Sequence, residues 1–492
     1  MTPFKLWACV ITILLLTHTV TADDSRVVQW PQFRGPHGHA IAGAQDIPVN
    51  FDSASTLWEK QVPAGSSSPI IWNNKLFLTG HKGNRLLVLC YHKDTGKELW
   101  RDEVTGDFDE DYEHEDCSPA AATSCCNGKQ LISSFGTFGL IAHDLDGNEL
   151  WRHKIQNREE AFGSGSSPIL QSGSVFFLRD TTKYSALYCL NAKSGRIKWK
   201  APRSAFAASY STPYIWNRDD ATELVVAGSG TLDGYDPETG EQLWTVTGLP
   251  AFICPSPVAK GDRLVFGAWT TANVSGEERT RAGFAAEVNL TNLESKDPVA
   301  FMKRFDLNGN GRIAKSELPP SRFRDAFRFT DRDKSDDWDL KEVEAFFNAK
   351  PAPGRNLLVA LNAGGRGDIT ETHVVWESTK NLPYVSSPLI YRDRVYCLKK
   401  GGLLTSWDLE TGDLDRPLRL GVGGEYYATP LAVGDHIMLA AERGAVIFLS
   451  VAAEKPKLVA KNDFAAGLAA TPAILDGTIY IRSRDKMHAI QK

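Results

Sequence analysis

Between Pro69 and Ile490 the chain is written in short apolar runs separated by polar turns. In the first unit Pro69-Ile70-Ile71-Trp72 leads to an Asn73-Asn74 turn and then Lys75-Leu76-Phe77-Leu78-Thr79. Arg85 to Tyr91, a Thr95-Gly96 turn and Leu99 to Val104 complete it. Alternating apolar positions with a turn signal about every 8–12 residues predict strands, here four to a unit. The unit recurs. A Ser/Thr-Pro step opens an apolar run at Pro69, Pro119, Pro168, Pro213, Pro257, Pro388, Pro430 and Pro472, with successive gaps of 50, 49, 45, 44, 131, 42 and 42 residues. A period in the forties is one four-stranded propeller blade. A turn that ends in a strand-closing Trp keeps the same period, as in Asp94-Thr95-Gly96-Lys97-Glu98-Leu99-Trp100, and again at Gly147/Trp151, Gly195/Trp199 and Gly240/Trp244. Glu410-Thr411-Gly412 repeats the turn without the Trp. Glycine reaches φ > 0 in such turns without steric cost.

These signals predict an all-β fold, an eight-bladed β-propeller. The last unit stops near Ile490, one strand short, and Thr56-Leu57-Trp58-Glu59-Lys60-Gln61-Val62 stands before the first step. That segment is expected to supply the missing outer strand of blade eight, and closing the ring in this way would remove an exposed sheet edge. The 131-residue gap predicts an insert of about 80 residues in blade five, because removing it restores a spacing of about 50. The expected division is a leader over 1–22, propeller over 23–277, insert over 278–354 and propeller again over 355–492.

The insert carries the most specific motif. Asp306-Leu307-Asn308-Gly309-Asn310-Gly311-Arg312-Ile313-Ala314-Lys315-Ser316-Glu317 fits a calcium-binding EF-hand loop at every required position. Calcium takes about seven oxygens. Asp306, Asn308 and Asn310 offer side-chain oxygens, Arg312 its carbonyl and Glu317 two carboxylate oxygens; a water fills the place of Ala314. A second loop, 25 residues on, offers Asp331, Asp333, Ser335, Asp337 through its carbonyl, Asp339 and Glu342. Asp336 stands there where Gly is usual, which Asp tolerates at modest cost. Met302, Phe305, Phe323, Phe327, Val343, Phe346 and Phe347 are expected to form the paired module's core, with Ile313 meeting Trp338.

Bulk properties narrow the function. A net charge of -5, with no Lys/Arg cluster, argues against nucleic-acid binding. Lys5, the apolar run Val10 to Leu16 and Thr19-Val20-Thr21-Ala22 read as a secretory leader cut before Asp23, so the mature chain is expected outside the cytoplasm. No later stretch is apolar enough to span a membrane. Seven cysteines then remain (Cys90, Cys117, Cys125, Cys126, Cys189, Cys254 and Cys397), an odd and thinly spread set that predicts no disulfide scaffold.

The Asp-x-x-Thr-Gly-x-x-x-Trp units resemble the repeat of pyrroloquinoline-quinone (PQQ) enzymes and of BamB-type outer-membrane assembly propellers. Trp30-Pro31-Gln32-Phe33-Arg34-Gly35-Pro36 is similar to the opening of secreted bacterial quinoprotein-like propellers. The resemblance spans nearly all of the mature chain except the insert, and it implies one of two functions. The first is a binding or assembly scaffold, monomeric, with calcium and an unidentified protein or carbohydrate partner. Polar and aromatic residues just ahead of the steps, namely His114, Glu115, Asp116, Tyr210, Tyr384, Glu425, Tyr426 and Tyr427, would then line one channel mouth. The second is a PQQ-dependent dehydrogenase of alcohols or sugars. Cys125-Cys126 is its local support, since some such enzymes carry an adjacent-cysteine disulfide beside the quinone. No Cys-x-x-Cys-His haem motif supplies an acceptor, however, and the family's propeller calcium ligands and catalytic Asp have no assignable counterparts. The scaffold is the favoured expectation.

Overall fold

The structure is a computed structural model that describes residues 28–105, 117–136, 138–155, 165–181, 184–203, 208–280, 285–453, 455–464 and 467–492. The expected leader lies outside them. Eight antiparallel blades follow one another in chain order. Blade one is Ile70–Trp72, Lys75–Lys82, Arg85–His92 and Glu98–Val104, from the inner to the outer strand. Blade eight takes only its inner three strands from the C-terminus. Its outer strand is Thr56–Gln61, with Trp58 opposite Ala489 and Gln61 opposite Lys486. The ring therefore closes as its sequence predicts.

The tryptophans and turn glycines explain how the blades dock. Trp58, Trp100, Trp151, Trp199 and Trp376 lie on outer strands, and each indole Nε1 donates to a turn carbonyl of the next blade: Lys93, Leu145, Ala192, Pro237 and Leu409, at 2.8–3.0 Å. Each ring also lies flat on that turn's glycine. A Cβ on Gly195, where φ is 66°, would stand 2.5 Å from the Trp151 ring. Only glycine satisfies both the backbone angle and the contact. Trp244 breaks the series. Its Nε1 donates to Glu223 of its own blade (2.6 Å). Beside it, Gly367–Asp368 of the blade-five loop pair in parallel with Trp244 and Thr245, adding a fifth strand to blade four.

The recurring step has a different purpose at the channel. Backbone N–H groups donate from blade to blade: Ser68 to Thr123 Oγ1, Thr123 to Ser167 Oγ, Ser167 to Thr212 Oγ1, Thr212 to Ser256 Oγ, Ser256 to Ser387 Oγ, Ser387 to Thr429 Oγ1 and Thr429 to Thr471 Oγ1, at 2.9–3.4 Å. This corrects one step. In blade two the ring position is Thr123-Ser124, and Ser118-Pro119 lies in a turn upstream, where the Ala121 N–H meets the Ser118 carbonyl. The hydroxyl, not the proline, is what the ring requires, so a Thr-Ser pair can replace Ser-Pro.

Antiparallel order fixes two faces. Crossings between blades and second-to-third-strand turns share one, here the crossing face; the remaining turns share the other. The blade-five insert occupies 269–356, between the second strand Arg263–Ala268 and the third strand Leu357–Asn362, and so rises from the crossing face.

The other face is stoppered by residues 30–45. Trp30 bridges Ile71 of blade one, and the Pro31 carbonyl accepts from Cys126 of blade two. His39 reaches Tyr214 of blade four. The fully buried Arg34 donates to the carbonyls of Pro257 in blade five and Pro388 in blade six, at 3.0 and 3.1 Å. Ala40 and Ala42 bond Ala432 of blade seven, and the Gln45 amide oxygen accepts from Gly477 of blade eight.

Candidate functional site

Amide side chains tie the two legs of the insert's stem to each other and to the crossing that leads into blade five. Asn356 exchanges hydrogen bonds with the Thr270 backbone (2.7 and 3.0 Å). Asn273 accepts from Ala251 N–H and donates to the carbonyls of Ala352 and Pro353. Beyond the stem the insert has its own core: Val288, Phe301, Met302, Phe305, Ile313, Leu318, Phe323, Phe327, Trp338, Val343, Phe346 and Phe347 form one buried cluster that includes no propeller residue. Trp338 is at its centre, stacked on Phe327 at 5.1 Å and donating to the Phe327 carbonyl.

Two helices, Pro298–Phe305 and Phe327–Thr330, each run into one of the motif loops. Asp297 caps the first, and Asp339 caps the helix Leu340–Phe347 that leaves the second loop. Between the loops Ile313 pairs with Trp338 and Ala314 with Asp337 in a short antiparallel bridge. The loops repeat one hydrogen-bond set. In the first, Asp306 accepts from the N–H groups of Asn310 and Gly311, and Glu317 from those of Leu307, Asn308 and Ala314, at 2.8–3.2 Å. In the second, Asp331 accepts from Ser335 and Asp336, and Glu342 from Arg332, Asp333 and Asp339, at 2.6–3.4 Å. Asp336 takes φ 64°, matching Gly311 at 78°. Lys334 is left-handed as well (φ 58°), a strain the motif did not announce. The carboxylate oxygens of Asp331, Asp333 and Glu342 lie within 4.8 Å of one another, close enough to share one ion. Asn308, Asn310, Arg312, Ser335, Asp337 and Asp339 stand on the same two loops.

The expected channel-mouth residues are less gathered. His114, Glu115 and Asp116 lie outside the described residues. Tyr210, Tyr384, Glu425 and Tyr427 sit on crossings of the crossing face. Tyr384 is 37% exposed, its ring edge-on to Trp269 at 6.1 Å, and Glu425 is ion-paired with Lys400. Tyr426 does not belong with them. It is buried and donates to the Val422 carbonyl at 2.8 Å, and burial pushes its pKa up to about 12.

Cys125-Cys126 form the innermost strand of blade two, and strand alternation sends their side chains to opposite sides of the blade. Cys126 packs toward blade one and Cys125 toward blade three. Burial raises Cys126 to about 12 and holds Cys125 well above the ordinary thiol range. Two buried thiols that point apart do not fit a quinone-facing wall, and no step through that cofactor follows from them.

Sequence reasoning missed the stopper. Arg34 has no carboxylate partner among its hydrogen bonds, and burial lowers its pKa to about 10. The Tyr214 hydroxyl accepts from the Ala259 N–H and shares a 2.8 Å hydrogen bond with His39 Nε2. Burial first, then the charges of His37 and Arg34, lower the His39 pKa from 6.5 to about 4. Its neutral form is the native one, whereas the unfolded chain takes up a proton near pH 6.5. This contribution is complete above pH 6.5 and falls by about 3 kcal/mol as the pH drops to 4. Chemical denaturation of H39Q across this range is expected to show a shallower pH slope than the parent; an unchanged slope places the acid sensitivity elsewhere. His81 and His488 are lowered in the same direction, chiefly by burial, and leave a residual slope.

Residues 137–279 match a family model described as outer membrane protein assembly factor BamB. No curated protein matches the chain. Among solved structures, BamB from Moraxella catarrhalis is similar at 10% identity and a TM-score of 0.52, covering 89% of this chain and 99% of that one. Quinohemoprotein alcohol dehydrogenase from Comamonas testosteroni is similar at 10% identity and a TM-score of 0.55, covering 95% and 81%. A europium-containing methanol dehydrogenase is similar at 8% identity and a TM-score of 0.52, covering 93% and 90%. At such identities these likenesses speak for the fold alone. Among the described residues no helix is long and apolar enough to cross a membrane. With eight four-stranded units, the turn-glycine and tryptophan repeat and these neighbours, the chain has the fold of a quinoprotein-like, BamB-type repeat β-propeller.

Proposed function

We propose that the propeller is an exported scaffold, with calcium held by its blade-five insert and a protein partner held on its crossing face. The observation that carries the calcium reading is the repeated hydrogen-bond set of the two loops. In each, the first and twelfth positions are carboxylates already drawn inward by backbone N–H groups. All donors are hard oxygens, which suits calcium rather than a softer metal. Asp306, Asn308, Asn310, the Arg312 carbonyl and Glu317 would hold one ion. Asp331, Asp333, Ser335, the Asp337 carbonyl, Asp339 and Glu342 would hold the other. Extracellular calcium modules bind at about 10⁻⁴–10⁻³ M, so such ions would be constitutive. The partner reading is supported by the assembly role in the matched family's name and by the exposed aromatics of the crossing face.

Titration calorimetry of the purified chain is expected to show two calcium ions bound. E317Q should lose one binding event and E342Q the other, because each loses the carboxylate that closes a shell. A titration without heat or uptake would sink the calcium reading.

A further inference from the structure

The two loops meet through one long side chain. Arg312 occupies the seventh position of the first loop, and its guanidinium crosses the bridge to the second. There its Nη1 donates to Ser335 Oγ at 3.2 Å and pairs with the Asp337 carboxylate. Asp337 is the seventh position of the second loop, so the two equivalent positions face each other as a cation and an anion. Ser335 Oγ already spends its own proton on Asp337, donating at 3.0 Å to the carboxylate and 3.2 Å to the carbonyl. The lone pair that Arg312 occupies belongs to an oxygen the second calcium shell requires.

We infer that Arg312 sets the relative affinity of the two loops by holding the second one weak. The inference rests on the calcium reading and adds to it. A divalent ion entering the second loop must take Ser335 Oγ from the guanidinium, and it meets a fixed positive charge at the rim of its shell. Nothing equivalent opposes the first loop, since Asp337, in the matching place, is an anion. The second loop has the larger number of carboxylates, yet the pairing with Arg312 offsets part of that advantage. With calcium raised stepwise, the first loop fills before the second.

The test isolates the second loop in the full chain by silencing the first with E317Q. Calcium titration then compares E317Q with E317Q/R312Q and E317Q/R312K. Loss of one charge beside a divalent ion in a surface dielectric is expected to tighten binding by about tenfold in E317Q/R312Q. The lysine variant keeps the charge and should stay within about twofold of its parent. Resistance of residues 285–347 to limited proteolysis reports whether the insert is folded in each. Equal affinity with and without the arginine, or equal tightening by glutamine and lysine, overturns the role of Arg312 and leaves the calcium reading standing. No calcium uptake by the unmodified chain overturns both.

Discussion

Deleting Thr56–Gln61 is expected to unfold the propeller as a whole rather than trim one blade. The strand pairs along its length with Lys486–Ile490, and without it that row of backbone groups becomes an open edge. The deletion also removes Trp58, which is 9% exposed, lies on Gly96 and donates to the Lys93 carbonyl. Blade eight would thus lose the outer part of its joint to blade one and keep only inner contacts such as Arg482 to Ser67 and Lys93 to Asp476. The point variant W58A isolates the docking term. Truncating a buried Trp costs about 3–5 kcal/mol, a fall of roughly 3–5 °C in Tm for a domain of this size. Leu57, the adjacent residue, is 45% exposed, so L57A should stay within about 0.5 kcal/mol of the parent. Calorimetry of the two variants gives the comparison. A W58A melt as close to the parent as L57A would show that the ring does not depend on this joint.

W338A should have an effect of similar size in a different place. The indole is fully buried, stacks on Phe327 and supplies a hydrogen bond to its carbonyl, and the backbone at Trp338 forms the bridge to Ile313. The cavity would cost about 3–5 kcal/mol. A core of this size cannot absorb that, because small cores have little margin. The expected result is an insert that melts by itself: the calcium uptake proposed for the two loops is absent, and proteases cut between 285 and 347. The main calorimetric transition should stay in place, since no propeller residue shares the insert's core. A main transition lowered as far as in W58A would show instead that insert and propeller unfold as one unit.

The sequence made the blades legible because two signals had independent physical causes. Turn glycines are forced by indoles lying on them, and step hydroxyls are forced by a ring of backbone donors. Where one cause was met by other residues, the reading slipped. Thr123-Ser124 satisfies the ring without a proline, so Ser118-Pro119, a turn nearby, took its place. In the insert, Asp336 takes the left-handed backbone for which the loop pattern usually has glycine. The long reach of Arg312 was not legible, since periodicity says nothing about where a flexible side chain lands. Tyr426 was misread for a related reason: its neighbours are polar and mark a crossing, but its hydroxyl finds the Val422 carbonyl inside the blade. The stopper was invisible. Its residues have no periodicity, and a buried arginine satisfied by two carbonyls from distant blades leaves no local pattern.

The stopper also gives the molecule an orientation. The chain comes to Trp30 on the face opposite the crossings, where Gln29 and Asn73 exchange hydrogen bonds beside a first-strand turn. The insert and the crossings rise from the opposite face. A partner of the kind proposed for the crossing face would approach without touching the stopper, so the two ends of the channel offer different chemistry.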